Sequence, residues 1–159
     1  GIQEARFLSI QMIGDLTGRI ALPAVVDPGV KKAAGVRRIQ VDSLPVDEST
    51  GMLPTLAGIE AALNDGCKLF FLESPVRLTG AAFDGDAVAK IAGLLTRHDA
   101  CAIWDQGLAP WLPEGEYASL GGEVGMSERV AVLGEAWPGL GSRVWPRVIC
   151  LRARIGWPA

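Results

Sequence analysis

The sequence predicts an α/β fold, a three-layer sandwich in which helices cover both faces of a mainly parallel sheet. Short apolar runs alternate with helical patterns along the chain, which is the order that builds parallel sheets. Within residues 68–105 the alternation is complete. Leu69, Phe70, Phe71 and Leu72 form one apolar run, Val88, Ile91, Leu94 and Leu95 share a helical face, and Cys101, Ala102, Ile103 and Trp104 form a second run. Both runs stop on a carboxylate, Glu73 and Asp105. Ligands of such sheets sit just beyond the carboxyl ends of the strands, so Asp105 and the nearby Arg77 are the first candidates for a site.

Composition narrows the function classes. The 159 residues, 49% hydrophobic and 21% charged, are those of one globular domain, 1–159, with a real core. A formal charge of −3 offers no attraction to nucleic acid or an anionic membrane and favours a small-molecule or protein partner. No apolar run approaches the roughly 20 residues that span a bilayer, and the amino end lacks a signal-peptide pattern, so a cytoplasmic address is expected. Cys67, Cys101 and Cys150 show no metal-binding spacing and read as buried free thiols. His98, following Arg97 at the end of a helical pattern, reads as a solvated residue helped by the negative helix end.

The remaining elements follow in chain order. Phe7, Leu8, Ile10, Met12 and Ile13 predict an amphipathic helix closed by Gly14. Residues 19–26 read as a buried strand in which Pro23 suits an edge or a bulge. Asp27-Pro28-Gly29 is a turn, residues 30–34 a short helix ended by Gly35, and residues 36–41 an alternating strand. The polar stretch 42–54 reads as a loop. Residues 55–63 return to helix, with Leu56, Ile59, Ala62 and Leu63 on one face and Asn64-Asp65-Gly66 as the stop. The next helix, over residues 86–97, takes Asp84 or Asp86 as its cap. Residues 129–133 and 147–151 read as further strands.

Single residues carry limited chemistry. A carboxylate directly after a buried strand is costly to keep unpartnered, so Asp105 should face a cleft or a cation, or else cap a helix or tie a loop. Arg77 has a guanidinium suited to gripping an anionic group, or to solvation in its turn. Glu73 and Glu135 also close strands and allow an acid and base pair, though their spacing does not specify one. The opening Gly1-Ile2-Gln3, at a helix start, is an anion site in principle because free amides and the helix dipole favour a phosphate there.

Read together, these segments resemble a known family. GIQE, GDLTGRIALPAVVDPGVKKAAG, VDSLPVDESTG, FLESPVRLTG, IWDQGLAPW, RVAVLGEA and RIGW follow one another as in the large domain of fold-type-I pyridoxal-phosphate enzymes, the class I/II aminotransferases. The resemblance implies an aminotransferase that exchanges an amino group between an amino acid and a 2-oxo acid, with pyridoxal 5'-phosphate as cofactor and a homodimer as the working unit. It implies that Gly1, Ile2 and Gln3 hold the cofactor phosphate, and that Asp105 pairs with the pyridinium nitrogen, keeping it protonated so that the ring draws electrons from a carbanion. Thr79 and Gly80 match the end of a Pro-x-Asn-Pro-Thr-Gly turn, with Arg77 at the position of the asparagine that bonds the ring hydroxyl and Leu78 at that of the second proline. Arg154 is expected at the position of a phosphate-binding arginine, with Arg147 as its rival.

The departures from the family pattern carry their own expectations. No aromatic side chain stands at Asp27-Pro28-Gly29-Val30 to stack on the ring, and Leu108 replaces a tyrosine three residues after Asp105. The Schiff-base lysine has Pro138 at its position, while the lysines present are Lys31, Lys32, Lys68 and Lys90. Covalent attachment of the cofactor is therefore not expected, and this chain alone should not transaminate. The resemblance also implies a truncated or degenerate member, an incomplete large domain without the small carboxyl-terminal domain. Two alternatives remain: a non-catalytic fragment or subunit-interaction remnant, and a protein that binds a phosphate-bearing cofactor noncovalently.

Overall fold

The computed structural model describes residues 1–113, 115–135 and 148–151, the last four as backbone only. Helix α1 (Ile2–Thr17) leads into strand β1 (Arg19–Pro23), α2 (Pro28–Val36) and β2 (Gln40–Leu44). A small antiparallel pair follows, β3 (Val46–Asp47) with β4 (Leu53–Pro54), then α3 (Leu56–Asn64) and β5 (Leu69–Glu73). Helix α4 (Gly85–Arg97), β6 (Cys101–Asp105), β7 (Val130–Glu135) and β8 (Val148–Leu151) complete the described elements. The main sheet runs in the order β2-β1-β5-β6-β7-β8, parallel throughout except for β8, which pairs antiparallel with β7.

Side-chain alternation splits the core into two layers. Phe70, Leu72, Ala102, Trp104, Val130 and Val132 pack beneath α3 and α4. Leu69, Phe71, Cys101, Ile103, Ala131 and Leu133 pack with Ile2, Ile10 and Ile13 of α1 and with Val30 and Ala33 of α2. Because residues two apart share a face, the strand-ending Glu73, Asp105 and Glu135 belong to the α1 side. Trp104 anchors the other layer: it is fully buried, stacks on Phe83 with ring centroids 6.0 Å apart, and donates Nε1–H to Tyr117 Oη at 2.9 Å.

Several boundaries differ from the sequence reading, each for a physical reason. Helix α1 does not stop at Gly14; it ends against Gly18, whose φ of 65° closes it in the left-handed conformation. Gly14 instead packs, since a Cβ there would stand 2.5 Å from Ile39 Cδ1. The apolar Phe7, Leu8 and Met12 lie exposed, whereas Ile2, Arg6, Ile10 and Ile13 form the buried stripe.

Further along, α2 begins at Pro28 because Asp27 caps it, its carboxylate accepting from Gly29 N at 2.7 Å. Strand β2 starts four residues later than expected, after Arg38 turns the chain with φ 56°. The stretch read as a loop therefore holds the end of β2, the β3 and β4 pair and a 3-10 turn. Pro23 lies in an interior strand, at its carboxyl end. Ala24 N bonds Leu44 O on the β2 side, so alternation turns Pro23 toward β5, where pairing is confined to Ala21 with Phe70. Helix α4 takes Asp84 as cap, its carboxylate accepting from Ala87 N at 2.7 Å.

Cys67 and Cys101 are buried free thiols, and burial raises the pKa of both. His98 is the C-cap of α4, and its carbonyl accepts from Lys68 Nζ. Among the described residues no helix is long and apolar enough to cross a membrane. The side chain of Cys150, and Pro138, Arg147 and Arg154 altogether, lie outside the described residues.

A candidate cofactor-ring site filled by an arginine

Register brings the strand-end charges together. Glu73 of β5 and Asp105 of β6 are direct partners, and Asp105 is paired with Leu133, two residues before Glu135 on β7. Adjacent strands lie about 4.8 Å apart, so buried carboxylates on one face are forced into repulsion unless a cation joins them.

Arg6 is that cation. It lies on the buried stripe of α1, which crosses β5, β6 and β7, and only 1% of it is exposed. Nε donates to Asp105 Oδ2 at 2.5 Å, Nη2 to Glu73 Oε1 at 2.9 Å and Nη1 to Asp27 Oδ2 at 3.2 Å. Every guanidinium nitrogen thus meets a different carboxylate. Asp105, also 1% exposed, accepts at its other oxygen from Gly107 N at 2.9 Å. A Cβ at Gly107 would approach Asp105 Oδ1 to 3.2 Å and Arg77 Nη2 to 3.1 Å, so glycine lets this loop close on the cluster.

The other sequence candidates border the same place. Gln3 donates Nε2–H to Asp27 Oδ2 at 2.8 Å, which links the start of α1 to Arg6 and through it to Asp105. Gly1 O accepts from Glu4 N and Ala5 N, leaving the first helical amides, of Ile2 and Gln3, without a helical partner. Ile2 is buried in the core, and its Cγ1 would touch a Cβ at Gly107.

Arg77 turns inward. Its Nε lies 3.6 Å from Glu73 and its Nη2 3.9 Å from Glu135, ion pairs too long for hydrogen bonds, and both nitrogens are buried without a hydrogen-bond partner among the described residues. Its turn is held by Thr79 Oγ1 donating to Gly51 O at 2.6 Å and by Val76 O accepting from Gly80 N at 2.7 Å.

Topology agrees on the location. The connection from β1 to β2 runs through α2 on one face, and that from β5 to β6 through α4 on the other. The crevice between the ends of β1 and β5 is therefore the switch point where α/β sheets hold ligands. A cavity of about 270 Å³ opens there, lined by Val25, Asp27, Pro28, Glu73, Arg77 and Leu78 among others. Larger hollows, of about 690 Å³ over α3 and α4 and about 480 Å³ beside β4, lie away from the strand-end charges. The small one is the better candidate because the chemistry converges on it.

Two carboxylates respond oppositely to this surrounding. Burial, then the neighbouring Asp105, raise the pKa of Glu73 above its ordinary 4.5 despite Arg6 and Arg77. Burial also opposes ionisation of Asp27, but hydrogen bonds from Gln3 and Gly29 and the charges of Arg6 and Arg77 prevail and lower its pKa. A native acid with a raised pKa binds its proton more tightly than the unfolded chain does. Stability from Glu73 is therefore fully present below its unfolded pKa and is lost as pH rises toward the folded value. Asp27 works the other way, its contribution being lost as pH falls through its lowered value.

Glu73→Gln keeps an acceptor for Arg6 and removes the titration. The wild type should lose stability relative to this variant as pH rises above the ordinary carboxylate range, as read from urea midpoints. A difference that stays constant with pH would contradict the assignment.

Comparison with known proteins places the fold. The family model for aminotransferase class I and II matches residues 1–107, two-thirds of the chain and inclusive of Asp105. The chain belongs to the class I and II aminotransferases. YugH of Bacillus subtilis (strain 168), an aminotransferase by name, is 29% identical over 126 residues, covering 72% of this chain and 33% of that protein. The chain thus spans about a third of the length of that curated relative.

Two solved structures share the fold. An aspartate aminotransferase from Rhodobacter sphaeroides 2.4.1 has a TM-score of 0.73 at 21% identity, over 84% of this chain and 36% of that one. An aromatic aminotransferase from Pyrococcus horikoshii OT3 has a TM-score of 0.78 at 16% identity, over 98% and 42%.

Class I and II aminotransferases in general depend on pyridoxal phosphate. The residues present here do not fit its ring in the expected way. By the resemblance Asp105 is the carboxylate that a ring nitrogen would face, and here a buried guanidinium already stands against its Oδ2 while Gly107 N donates to its Oδ1. The turn Asp27-Pro28-Gly29-Val30 offers no aromatic side chain to stack on a ring, and its Val30 is fully buried in the core. The one tyrosine of the chain, Tyr117, lies on the opposite face with Trp104.

Arg6 is the functional residue that sequence reasoning missed. Its signal was present: Ile2, Arg6, Ile10 and Ile13 are spaced as one helix face. A charge on such a stripe demands buried partners.

Proposed function

We propose that this chain forms the sheet and strand-end framework of an aminotransferase-class domain and does not transaminate by itself. The observation that carries the proposal is the commitment of Asp105, the carboxylate at the position for ring pairing, to Arg6. The lysines support it. Lys31 Nζ donates to Ala24 O at 3.2 Å, and Lys68 bonds the His98 carbonyl at the opposite, amino-terminal end of the sheet. Lys32 and Lys90 are exposed on α2 and α4. By resemblance, Pro138 stands at the Schiff-base position, where a proline can neither form an imine nor shuttle a proton.

Addition of pyridoxal phosphate should give no internal-aldimine absorbance, and borohydride treatment followed by peptide mapping should find no cofactor on a specific lysine. A mapped lysine adduct together with turnover of an amino acid and a 2-oxo acid would overturn the proposal.

A second reading is favoured by the position of Asp105 inside the family match. In it the chain acts as a cytoplasmic, homodimeric aminotransferase, as the family resemblance implies, with Gly1, Ile2, Gln3, Arg77, Asp105 and Arg154 around the cofactor. Light scattering that gives a dimer mass, together with the adduct and turnover above, would select it.

A further inference from the structure

We propose that Arg6 is a built-in counter-cation at the ring-nitrogen end of this site, and that it excludes a pyridoxal-type ring from Asp105. The inference deepens the proposed function, since it rests on reading the strand-end cluster as the family's ring position, and it assigns the closing role to one side chain.

Three observations carry it. Arg6 Nε donates to Oδ2 of the Asp105 carboxylate, the group that a pyridinium N–H would face. The guanidinium is 1% exposed, and it leaves α1 from within the buried stripe. The third is the bond count. Arg6 joins Asp105, Glu73 and Asp27, whereas a ring nitrogen offers a single N–H to a single carboxylate.

Exchange of the one cation for the other therefore leaves Glu73 and Asp27 without their shared donor. Arg77 cannot replace it as it stands, because it approaches Glu73 and Glu135 only at ion-pair distance. Two guanidiniums facing four carboxylates leave no positive charge to spare.

The probe is pyridoxamine 5'-phosphate, whose amine cannot condense with a lysine, titrated calorimetrically into the full chain. Wild type should show no saturable binding. Arg6→Met should bind saturably, at a concentration at least about tenfold below the highest at which wild type shows none. Arg6→Met with Glu73→Gln removes one stranded carboxylate and should show the same gain, which keeps the test decisive if the single variant fails to fold. Adding Asp105→Asn to either variant should abolish the gain.

The proposal is overturned if wild type binds as tightly as the Arg6 variants, if neither variant binds, or if the gain survives loss of the Asp105 carboxylate. These outcomes are separable from failure of the proposed function, which would appear as a borohydride-trapped aldimine with pyridoxal phosphate and turnover.

Discussion

Replacing Arg6 with methionine is expected to lower the unfolding free energy by about 3–5 kcal/mol, because removal of one partner from a buried ion cluster strands the others. The groups that lose their shared donor are Asp105, Glu73 and Asp27, which Arg6 bonds through three separate nitrogens. Methionine preserves much of the aliphatic volume, so the loss measures the charge rather than a cavity. Lysine should not rescue it, since an ammonium on a flexible stem does not reproduce the planar fork that reaches three carboxylates.

Arg6→Met with Glu73→Gln should recover part of the loss, because the buried carboxylate that faces Asp105 is then neutral. Urea unfolding reads the effect as a lowered midpoint at unchanged slope. A loss below about 1 kcal/mol would show that the cluster is solvated like a surface pair.

Trp104→Ala should have a comparable effect by a different route. The indole is fully buried, stacks on Phe83 and bonds Tyr117, so its removal leaves a large void in the layer beneath α3 and α4. A cost of about 3–5 kcal/mol is expected for an aromatic reduced to alanine in a core. Trp104→Phe keeps the ring and loses the hydrogen bond, and should cost about 1 kcal/mol more than the change in packing alone. Thermal or urea unfolding separates the variants. Equal losses in both would mean that the Tyr117 bond, not the packing, dominates.

Much of the fold was legible because it is written in local pattern. The run from Leu69 to Leu72 and that from Cys101 to Trp104 are apolar on both faces, as central parallel strands must be. Asp84 stands where a helix cap belongs and accepts the expected backbone bond, whereas Thr55, read as the first helical residue, proves to be a cap as well. Gly14 misled because a glycine in a helical pattern serves either as a stop or as a close contact, and only the position of Ile39 decides between them. The stretch 42–54 misled because strand pairing depends on a partner distant in the chain. Ala21 pairs with Asp42 through a register that no local window contains.

The site divides along the same line. By itself the sequence determined that carboxylates end the central strands, that a helix opens the chain, and that the order of segments resembles that of class I and II aminotransferases. These are properties of spacing, and spacing survives in one dimension. Only the tertiary structure decided that Glu73 and Asp105 are register partners, that both face α1, and that the guanidinium of Arg6 lies between them. Residues 6, 73 and 105 are remote along the chain, and the Coulomb energy that joins them depends on separation in space and on burial, neither of which a linear pattern encodes.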